Sequence, residues 1–436
     1  MLEQLTLTNV GPAPRIDLKF GERLNLLTGD NGLGKSFLLD VAWWALTNKW
    51  PAEVNPWLTS GRMARPSGHG EATIDFSFTG QSKRVDYSSR FDRSNQKWIG
   101  RWGRPAIPGL VLYAQGDGSF ALWDPARNFW RTQGRADIQE RPAAYVFTPR
   151  EVWDGLRDPH GQQLCNGLIH DWAGWQKEKG EAFDNLQKTL ASLSPDPAEV
   201  IAPGPLTRIS LDDVRDIPTL AMPYGQNVPL LHASAGMRRI IALGYLLTWA
   251  WQEHIQACKL LDQPMAHQLI FLVDEIEAHL HPKWQRRIIR ALLGIMASMS
   301  QQAGAAGARI QLIAATHSPL ILASVEPFFD PERDAWFDID LIPRPGEPSQ
   351  VRITREEFMC RGEVSDWLTS HAFDLGSGRS LEAEAALAKA AELMSREAVR
   401  EDEPRILHEE LQRVLGDIDP FWINWRFIAR KKGWTL

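Results

Sequence analysis

Three apolar segments open the chain, and their patterns differ. Residues 2–10 (LEQLTLTNV) alternate between apolar and polar positions, residues 16–20 (IDLKF) do so after a Gly-Pro turn, and residues 24–29 (LNLLTG) are mostly apolar. Alternation predicts half-buried strands, and a continuous apolar run predicts a strand buried on both faces. Residues 36–50 (SFLLDVAWWALTNKW) then have the pattern of a helix, which we expect Pro51 to end.

The pattern between residues 71 and 148 has a period of two. Segments such as 72–80 (ATIDFSFTG) and 109–115 (GLVLYAQ) are separated by Gly, Asp and Asn, which are typical of turns. Residues 114–122 (AQGDGSFAL) predict a tight hairpin with the glycines at 116 and 118 at its tip. We therefore expect an antiparallel β meander over about 71–148.

The rest of the chain alternates between helical patterns and apolar runs. We expect a helical insertion over about 150–230 and a long apolar helix over 235–258. Residues 267–275 (HQLIFLVDE) and 309–318 (RIQLIAATHS) are apolar runs with polar ends, as in buried parallel strands.

A late strand pair and a charged end complete the pattern. The strands are predicted at 336–342 (WFDIDLI) and 349–356 (SQVRITRE), and residues 363–436 are mostly helical and charged. The expected fold class is α/β, with a mixed sheet core. We place one domain at 1–362 and a C-terminal helical region at 363–436.

Charge, cysteines and hydropathy narrow the class of protein. The formal net charge of the 436 residues is −6, so the chain as a whole is not a basic nucleic-acid binder. The three cysteines form no CxxC pair, which argues against a disulfide framework or a zinc site. No signal-peptide pattern and no run of 18 apolar residues occur, so we expect a cytoplasmic protein without a membrane partner.

The most specific motif lies where the third strand meets the first helix. Residues Gly29 to Ser36 read GDNGLGKS, a phosphate-binding loop in the strand–loop–helix context that it requires. Backbone N–H groups and the helix N-terminus would bind phosphate, Lys35 would neutralise its charge, and Ser36 would ligate Mg²⁺. We therefore expect ATP as the nucleotide. The expected contact residues are Asn31, Gly32, Gly34, Lys35, Ser36 and Phe37.

Two carboxylates end the apolar run at 267–275. Asp274 and Glu275 would lie at the carboxyl end of a parallel strand, where ligands bind in open α/β sheets. Asp274 is expected to hold Mg²⁺, and Glu275 is expected to orient and polarise the attacking water.

Two further segments have candidate roles. His317 follows the next apolar strand within ATHSP (315–319) and is placed to reach the γ-phosphate. Ser234 and Gly236 stand at the start of the long helix, where they either bind an anion or simply cap the helix.

The order of these four elements resembles that of ABC-type ATPases, which have the P-loop NTPase fold. Residues 274–282 (DEIEAHLHP) and ATHSP resemble the branch that contains SMC, RecF and OLD-family proteins and AAA-type defence ATPases, including PtuA-like proteins. The resemblance implies a homodimer or higher homo-oligomer in which ATP lies between the P-loop of one subunit and Ser234 and Gly236 of another. It places residues 278–281 near the dimer seam and makes Gln115 the candidate Q-loop glutamine beside the metal.

The chain also departs from this pattern. The signature segment reads ASAGM, without the usual glutamine, and 40 residues separate Ser234 from Asp274. No long coiled coil and no recognisable nuclease block occur, so a nuclease or other effector is expected to be a separate protein.

Four functions are compatible with these features. The leading hypothesis is a cytoplasmic Mg²⁺-dependent ATPase that gates an effector in defence against phage or foreign DNA. A RecF-like DNA-repair ATPase is the main alternative, and a transporter subunit and a non-hydrolysing scaffold stay open. The basic segments 283–290 (KWQRRIIR) and 422–434 (WINWRFIARKKGW) are candidate DNA contacts or simply solvated helix faces.

Overall fold

A computed structural model describes residues 1–80, 84–100, 106–133, 136–141, 143–302, 309–373 and 375–436. Parts of the predicted meander, at 81–83, 101–105, 134–135 and 142, therefore lie outside the described residues. The chain divides into two compact units, Met1–Gly362 and Glu363–Leu436.

The strands are numbered in chain order. They are β1 (Leu2–Thr8), β2 (Arg15–Lys19), β3 (Leu24–Gly29), β4 (Thr73–Thr79), β5 (Arg84–Asp92), β6 (Lys97–Trp98), β7 (Leu110–Ala114), β8 (Phe120–Trp123), β9 (Phe129–Gln133), β10 (Ala136–Arg141), β11 (Ala144–Phe147), β12 (Leu156–Arg157), β13 (Gln163–Cys165), β14 (Ala202–Pro203), β15 (Thr219–Ala221), β16 (Asn227–Pro229), β17 (Gln268–Val273), β18 (Arg309–Ala315), β19 (Ala335–Arg344) and β20 (Glu347–Glu356).

The α-helices are numbered in the same way. They are α1 (Lys35–Thr47), α2 (Pro51–Val54), α3 (Pro149–Asp154), α4 (Leu168–Glu178), α5 (Glu181–Ser192), α6 (Ala235–Leu261), α7 (Pro282–Gln285), α8 (Ile288–Gln302), α9 (Pro319–Val325), α10 (Val364–Leu368), α11 (Leu381–Ser395), α12 (Glu403–Val414) and α13 (Phe421–Lys432).

A mixed eight-stranded sheet forms the centre of the first unit. Its strand order is β11-β8-β7-β17-β18-β3-β19-β20. The five strands from β7 to β19 run parallel, and antiparallel strands extend the sheet at both sides. Every residue of β3 and β17 is buried, which confirms the interpretation of these apolar runs as two-sided strands.

A second, antiparallel sheet covers helix α1. Its strand order is β2-β1-β4-β5-β6, and the alternating apolar positions of β1 and β2 face its core side. One hydrophobic core joins this sheet, α1 and the central sheet, and Trp43 and Trp44 of α1 are almost completely buried in it. The phosphate-binding loop at the start of α1 is therefore held between two sheets.

Two predicted details differ from the structure. Helix α1 ends at Thr47 with Asn48 in the left-handed region (φ 56°), and Pro51 begins α2 because proline is favoured at the first helical position. Within the segment 71–148, β4 and β5 are antiparallel neighbours, whereas β7 pairs in parallel with β17. Alternation reveals a strand but not its partner.

The segment between β11 and α6 combines helices and strands. Helices α3, α4 and α5 match the helical expectation, but β14, β15 and β16 form a small antiparallel sheet in a part that we expected to be helical. This segment precedes α6, which has 27 residues and begins with Ser234 as its cap.

The second unit is helical, as its sequence pattern indicates. Helices α11, α12 and α13 share a core that contains Leu411, Trp422 and Trp425. None of the helices that the structure describes is both long enough and apolar enough to cross a membrane.

Candidate nucleotide site

The glycine-rich loop takes the shape that its sequence requires. Gly34, just before α1, has a φ of 102°, in the left-handed region that favours glycine. Gly29 has a φ of 126°, and a Cβ atom there would collide with the carbonyl oxygen of Ile339 in the neighbouring strand. Asn31 and Gly32 between them are exposed, so the loop presents its backbone to solvent at the N-terminus of a helix.

Lys35 lies underneath this loop. Its side chain is buried, and Nζ donates hydrogen bonds to the carbonyl oxygens of Gly29 and Asp30, each at 2.7 Å. Burial lowers the pKa of Lys35 to about 8, against the opposing effect of nearby carboxylates, of which Asp274 is the strongest. The cation is thus held in a partly desolvated position beside the loop, where a phosphate would be a better partner than water.

Asp274 and Glu275 occupy different environments although they are adjacent. Asp274 is buried at the end of β17, its backbone N–H donates to the carbonyl of Ala114 (2.9 Å), and burial raises the pKa of its carboxyl. A hydrogen bond with Ser36 opposes that rise in pKa, which places the hydroxyl and the carboxylate side by side. Glu275 is exposed, with a φ of 45°. The strand end therefore presents one buried and one solvent-facing carboxylate.

His317 is positioned by an acid whose role the sequence did not reveal. The backbone N–H of His317 and the hydroxyl of Thr316 both donate to the carboxylate of Glu277, each at 2.6 Å. Burial and the nearby charge of Lys35 lower the pKa of His317, so its imidazole is neutral near pH 7. Glu277 is the third acid of the segment DEIE (274–277) and could have been noticed there. Its position in the segment does not indicate which residues its carboxylate binds.

Gln115 lies at the same edge of the sheet as His317, on the other side of β17. It follows β7 directly, is buried, and its Oε1 accepts a 3.4 Å hydrogen bond from Ser60. Burial raises the pKa of Asp40 on α1 to about 7, while a hydrogen bond from the Tyr113 hydroxyl (2.9 Å) opposes this rise. Asp40 is a further acid at this edge that sequence reasoning missed.

The predicted signature residues lie elsewhere. Ser234 is exposed and caps α6, accepting a 3.4 Å hydrogen bond from the backbone of Met237. A Cβ atom on Gly236 would collide with the carbonyl oxygen of His279, so glycine is needed for α6 to approach that loop. Among the described residues, no hydrogen bond joins Ser234 or Gly236 to the phosphate-binding loop.

Arg239 connects the start of α6 to the carboxylate strand and was also missed. Its guanidinium donates to the carbonyl oxygens of Gly116 (2.9 Å), Asp274 (3.0 Å) and Glu275 (3.0 Å). Burial lowers the pKa of Arg239, and the surrounding carboxylates act in the opposite direction. This side chain fixes the position of α6 relative to the carboxyl end of β17. We call it the Arg239 clamp.

Phe37, a predicted contact residue, packs its side chain against the connection between β1 and β2. Its half-buried ring packs so closely on Gly11 that a Cβ atom on Gly11 would lie 2.5 Å from the ring. The side chain therefore fastens the first turn of α1 to the antiparallel sheet, and its contact with a nucleotide stays a prediction.

Four neighbouring strands bring the other candidates together. In the order β7-β17-β18-β3, the carboxyl ends of these parallel strands lead to Gln115, Asp274, His317 and the phosphate-binding loop. Ligands bind at such an edge of open α/β sheets. The arrangement defines a P-loop NTPase fold of the ABC-ATPase type, with a mixed central sheet.

The residues present suit a nucleotide with Mg²⁺. Exposed loop N–H groups and the Lys35 ammonium match a polyphosphate, and the Ser36 hydroxyl beside the Asp274 carboxylate offers the hard oxygen atoms that Mg²⁺ prefers. Within the described part of the chain, no cluster of three or more His, Cys, Asp or Glu side chains would hold a metal. A Mg²⁺ ion here would therefore depend on phosphate oxygens for further ligands.

Comparisons with solved structures find similarity to SMC head domains. These domains align with most of this chain: one from Thermotoga maritima has a TM-score of 0.38 at 12% identity and covers 82% of this chain and 99% of that structure. A structure titled SmcHead bound to the C-winged helix domain of ScpA has a TM-score of 0.40 at 15% identity, with 82% of this chain and 98% of that structure covered.

A curated relative is similar over a shorter segment. The Retron Vc95 probable ATPase of Vibrio cholerae serotype O1 biovar El Tor is 32% identical over 101 residues. The match covers 23% of this chain and only 17% of the relative.

A family profile matches more than half of the chain, from residue 24 to residue 323. That range contains the phosphate-binding loop, Ser234, the Asp274–Glu275 pair and His317. The chain therefore belongs to the family described as "AAA domain, putative AbiEii toxin, Type IV TA system".

Proposed function

We propose that this chain is a cytoplasmic, Mg²⁺-dependent ATPase that completes its sites between two copies of itself and thereby controls a separate effector protein. The observation that carries the proposal is the convergence of Lys35, Asp274, Glu275 and His317 at one edge of the sheet. These side chains combine a phosphate-binding cation, a buried carboxylate, an exposed carboxylate and a neutral imidazole.

Each of these residues has a distinct part in hydrolysis. Loop N–H groups and Lys35 bind the β- and γ-phosphates, while Glu275 accepts a hydrogen bond from the attacking water and aligns it with the γ-phosphorus. His317, held by Glu277, donates a hydrogen bond to the γ-phosphate. Ser36 and Asp274 would hold Mg²⁺, which supplies charge neutralisation at the phosphates when bound.

The dimer is supported by the position of α6. Ser234 and Gly236 stand at the exposed N-terminus of a 27-residue helix, which favours an anion, yet their contacts within the chain are to Met237 and His279. We infer that the phosphate they meet is bound to the P-loop of a second copy, in a head-to-tail arrangement.

The defence role is supported by the relatives. The family description names a toxin of a type IV TA system, and the retron protein is named as an ATPase. We propose that this chain supplies the ATPase activity in a system that acts against phage or foreign DNA, while a separate nuclease or toxin acts on the target.

The direct test of the chemistry is Glu275→Gln. Since the amide cannot polarise water as the carboxylate does, hydrolysis should fall about 10²–10³-fold, while ATP binding persists and dimers accumulate in size-exclusion chromatography with ATP. The control is Glu332→Gln, an exposed glutamate whose loss should leave turnover unchanged. Unchanged hydrolysis in Glu275→Gln would remove Glu275 from its assigned role.

The biological role has a separate test. Phage plaque counts on cells carrying this gene with its neighbouring genes should fall relative to empty cells, and Glu275→Gln should abolish that protection. Equal plaque counts would contradict the defence role. If purified protein instead showed hydrolysis stimulated by gapped DNA, the RecF-like alternative would replace it.

A further inference from the structure

A cavity lies beside the nucleotide site, between the β7–β8 turn and helices α3 and α6. Its volume is about 330 Å³, which is within the range of small-molecule pockets. It is separate from the phosphate-binding loop, which contributes no residue to its lining. Its lining includes Gln115, the candidate Q-loop glutamine, but none of Lys35, Asp274, Glu275 and His317.

Two helices give the cavity its apolar walls. Helix α6 contributes Ala242, Leu243 and Leu246, which share one face at helical spacing, and α3 contributes Val152 and Trp153. Trp153 and Leu243 are half-buried, so parts of an indole ring and of a branched aliphatic side chain face the space. An aromatic ring system would pack well between them.

One end of the cavity has a cation without an ion-pair partner. Arg238 lines the cavity and is exposed, and among the described residues it makes no salt bridge. The lining acid, Asp117, is occupied: its carboxylate accepts hydrogen bonds from Thr59 (3.2 Å), Ser60 (3.0 Å) and the backbone of Ser119 (2.9 Å). Because the lining contains two arginines, Arg238 and Arg239, and one acid, Asp117, it favours an anion.

We propose that this cavity binds a small aromatic anion, with its rings between Trp153 and Leu243 and its acidic group against Arg238, and that the bound anion regulates turnover. The regulatory part rests on the proposed ATPase function. Arg239 and Gly116, which the Arg239 clamp joins by a hydrogen bond, also line the cavity. A ligand in the cavity therefore contacts both α6 and the β7–β8 turn. Binding would change how α6 is held against the catalytic edge.

The probe is 8-anilinonaphthalene-1-sulfonate (ANS), an aromatic sulfonate whose fluorescence rises in apolar surroundings. We expect saturable binding at one site per wild-type chain. Arg238→Ala should weaken binding about tenfold through loss of a charge-assisted contact. Arg15→Ala, at an exposed arginine on the antiparallel sheet, is the matched control and should bind as the wild type does.

A second variant tests the cavity itself. Leu243→Trp would fill the space from a half-buried position and should abolish saturable binding while circular dichroism and the melting temperature stay close to wild type. If Arg238→Ala and Leu243→Trp both bind ANS as tightly as wild type, the cavity is not the site and the proposal fails.

Turnover provides the last measurement. Saturating ANS should change the rate of ATP hydrolysis of the wild type by about fivefold, at the low end of coupling between sites, and should not change that of Leu243→Trp. ANS binding without any change in rate would overturn the regulatory part. Binding is also measured on Glu275→Gln, so failure of the proposed hydrolysis and failure of this site give different results.

Discussion

The two halves of the proposed site are built in opposite ways. Lys35 and Asp274 are buried and held by the ends of parallel strands, so one chain assembles this half by folding. Ser234 is exposed at the start of a helix, and both of its described hydrogen bonds are to its own helix. A sheet edge can bring together residues distant in the sequence, whereas a helix terminus offers unsatisfied N–H groups to whatever molecule approaches. We therefore expect the first half to bind phosphate alone and the second to need a partner.

The largest expected effect tests the first half. Lys35→Ala should weaken ATP binding about 100-fold or more because a desolvated cation loses its charge-assisted contact to phosphate. Equilibrium dialysis with ATP measures this, and Lys19→Ala, at an exposed lysine of β2, is the control. If Lys35→Ala still bound ATP tightly, the first half of the proposed site would not depend on this cation, and the comparison of the two halves would fail.

Glu277→Gln tests how the first half is aligned. The amide can accept only one of the two hydrogen bonds that now come from Thr316 and His317, so His317 should lose its fixed position. We expect kcat to fall about tenfold, the lower part of the range for positioning effects, with the affinity for ATP unchanged. Glu326→Gln, at another carboxylate that accepts backbone N–H groups, is the control. A change confined to KM would contradict the positioning role.

Gly236→Ala tests the second half. The added methyl group would collide with the carbonyl of His279, so α6 would shift and hydrolysis should fall about tenfold while ATP binding by the first half persists. Gly294→Ala on α8 is the matched control, since a Cβ there meets nothing within 4 Å. Steady-state kinetics and ATP binding are measured on both. Loss of ATP binding in Gly236→Ala would show that the halves are not separable.

A mixing experiment tests whether two chains share a site. Lys35→Ala and Ser234→Arg should each be inactive alone. In a 1:1 mixture, about one quarter of the wild-type activity should return, because half of the dimers combine one intact site with one doubly altered site. The baseline is Lys35→Ala alone, measured at the same total protein concentration as the mixture. Absence of any recovery would contradict the head-to-tail arrangement.

The smallest effect concerns pH. Burial lowers the pKa of His317 below its ordinary 6.5, so the neutral imidazole persists to lower pH than in a free histidine. The wild type should therefore lose its rate of hydrolysis through protonation of His317 only below pH 6.5, and His317→Gln should lack this loss. The rate of ATP hydrolysis by both proteins is measured between pH 5 and 8. A loss that depends on His317 and occurs above pH 6.5 would contradict the lowered pKa.

Local patterns predicted the parts of the fold that depend on neighbours in sequence. The apolar runs of β3, β17 and β18 are buried strands, and the turn at 116–118 joins an antiparallel hairpin, as expected. Partner choice was not predictable in this way, since the parallel pairing of β7 with β17 joins residues more than 150 positions apart. Long-range pairing depends on the whole chain and not on alternation.

The candidate site shows the same division. Lys35, Asp274 and His317 could be predicted as candidates because their motifs are contiguous and follow apolar strands. Arg239 and Glu277 were missed because each acts on backbone groups of another segment, which no local pattern records. The roles of Ser234 and Gln115 stay predictions, although the structure places Gln115 next to the strand of Asp274.

The order of strands has an evolutionary consequence. The proposed chemistry lies in short loops after β3, β7, β17 and β18, whereas the long segment at 148–266 leaves the sheet after β11 and returns at β17. Because strand pairing fixes this edge of the sheet, selection can lengthen or replace the part of that segment before α6 without moving Lys35 or Asp274. Related proteins can thus keep one nucleotide site while they differ in the segments that decide which partner it controls.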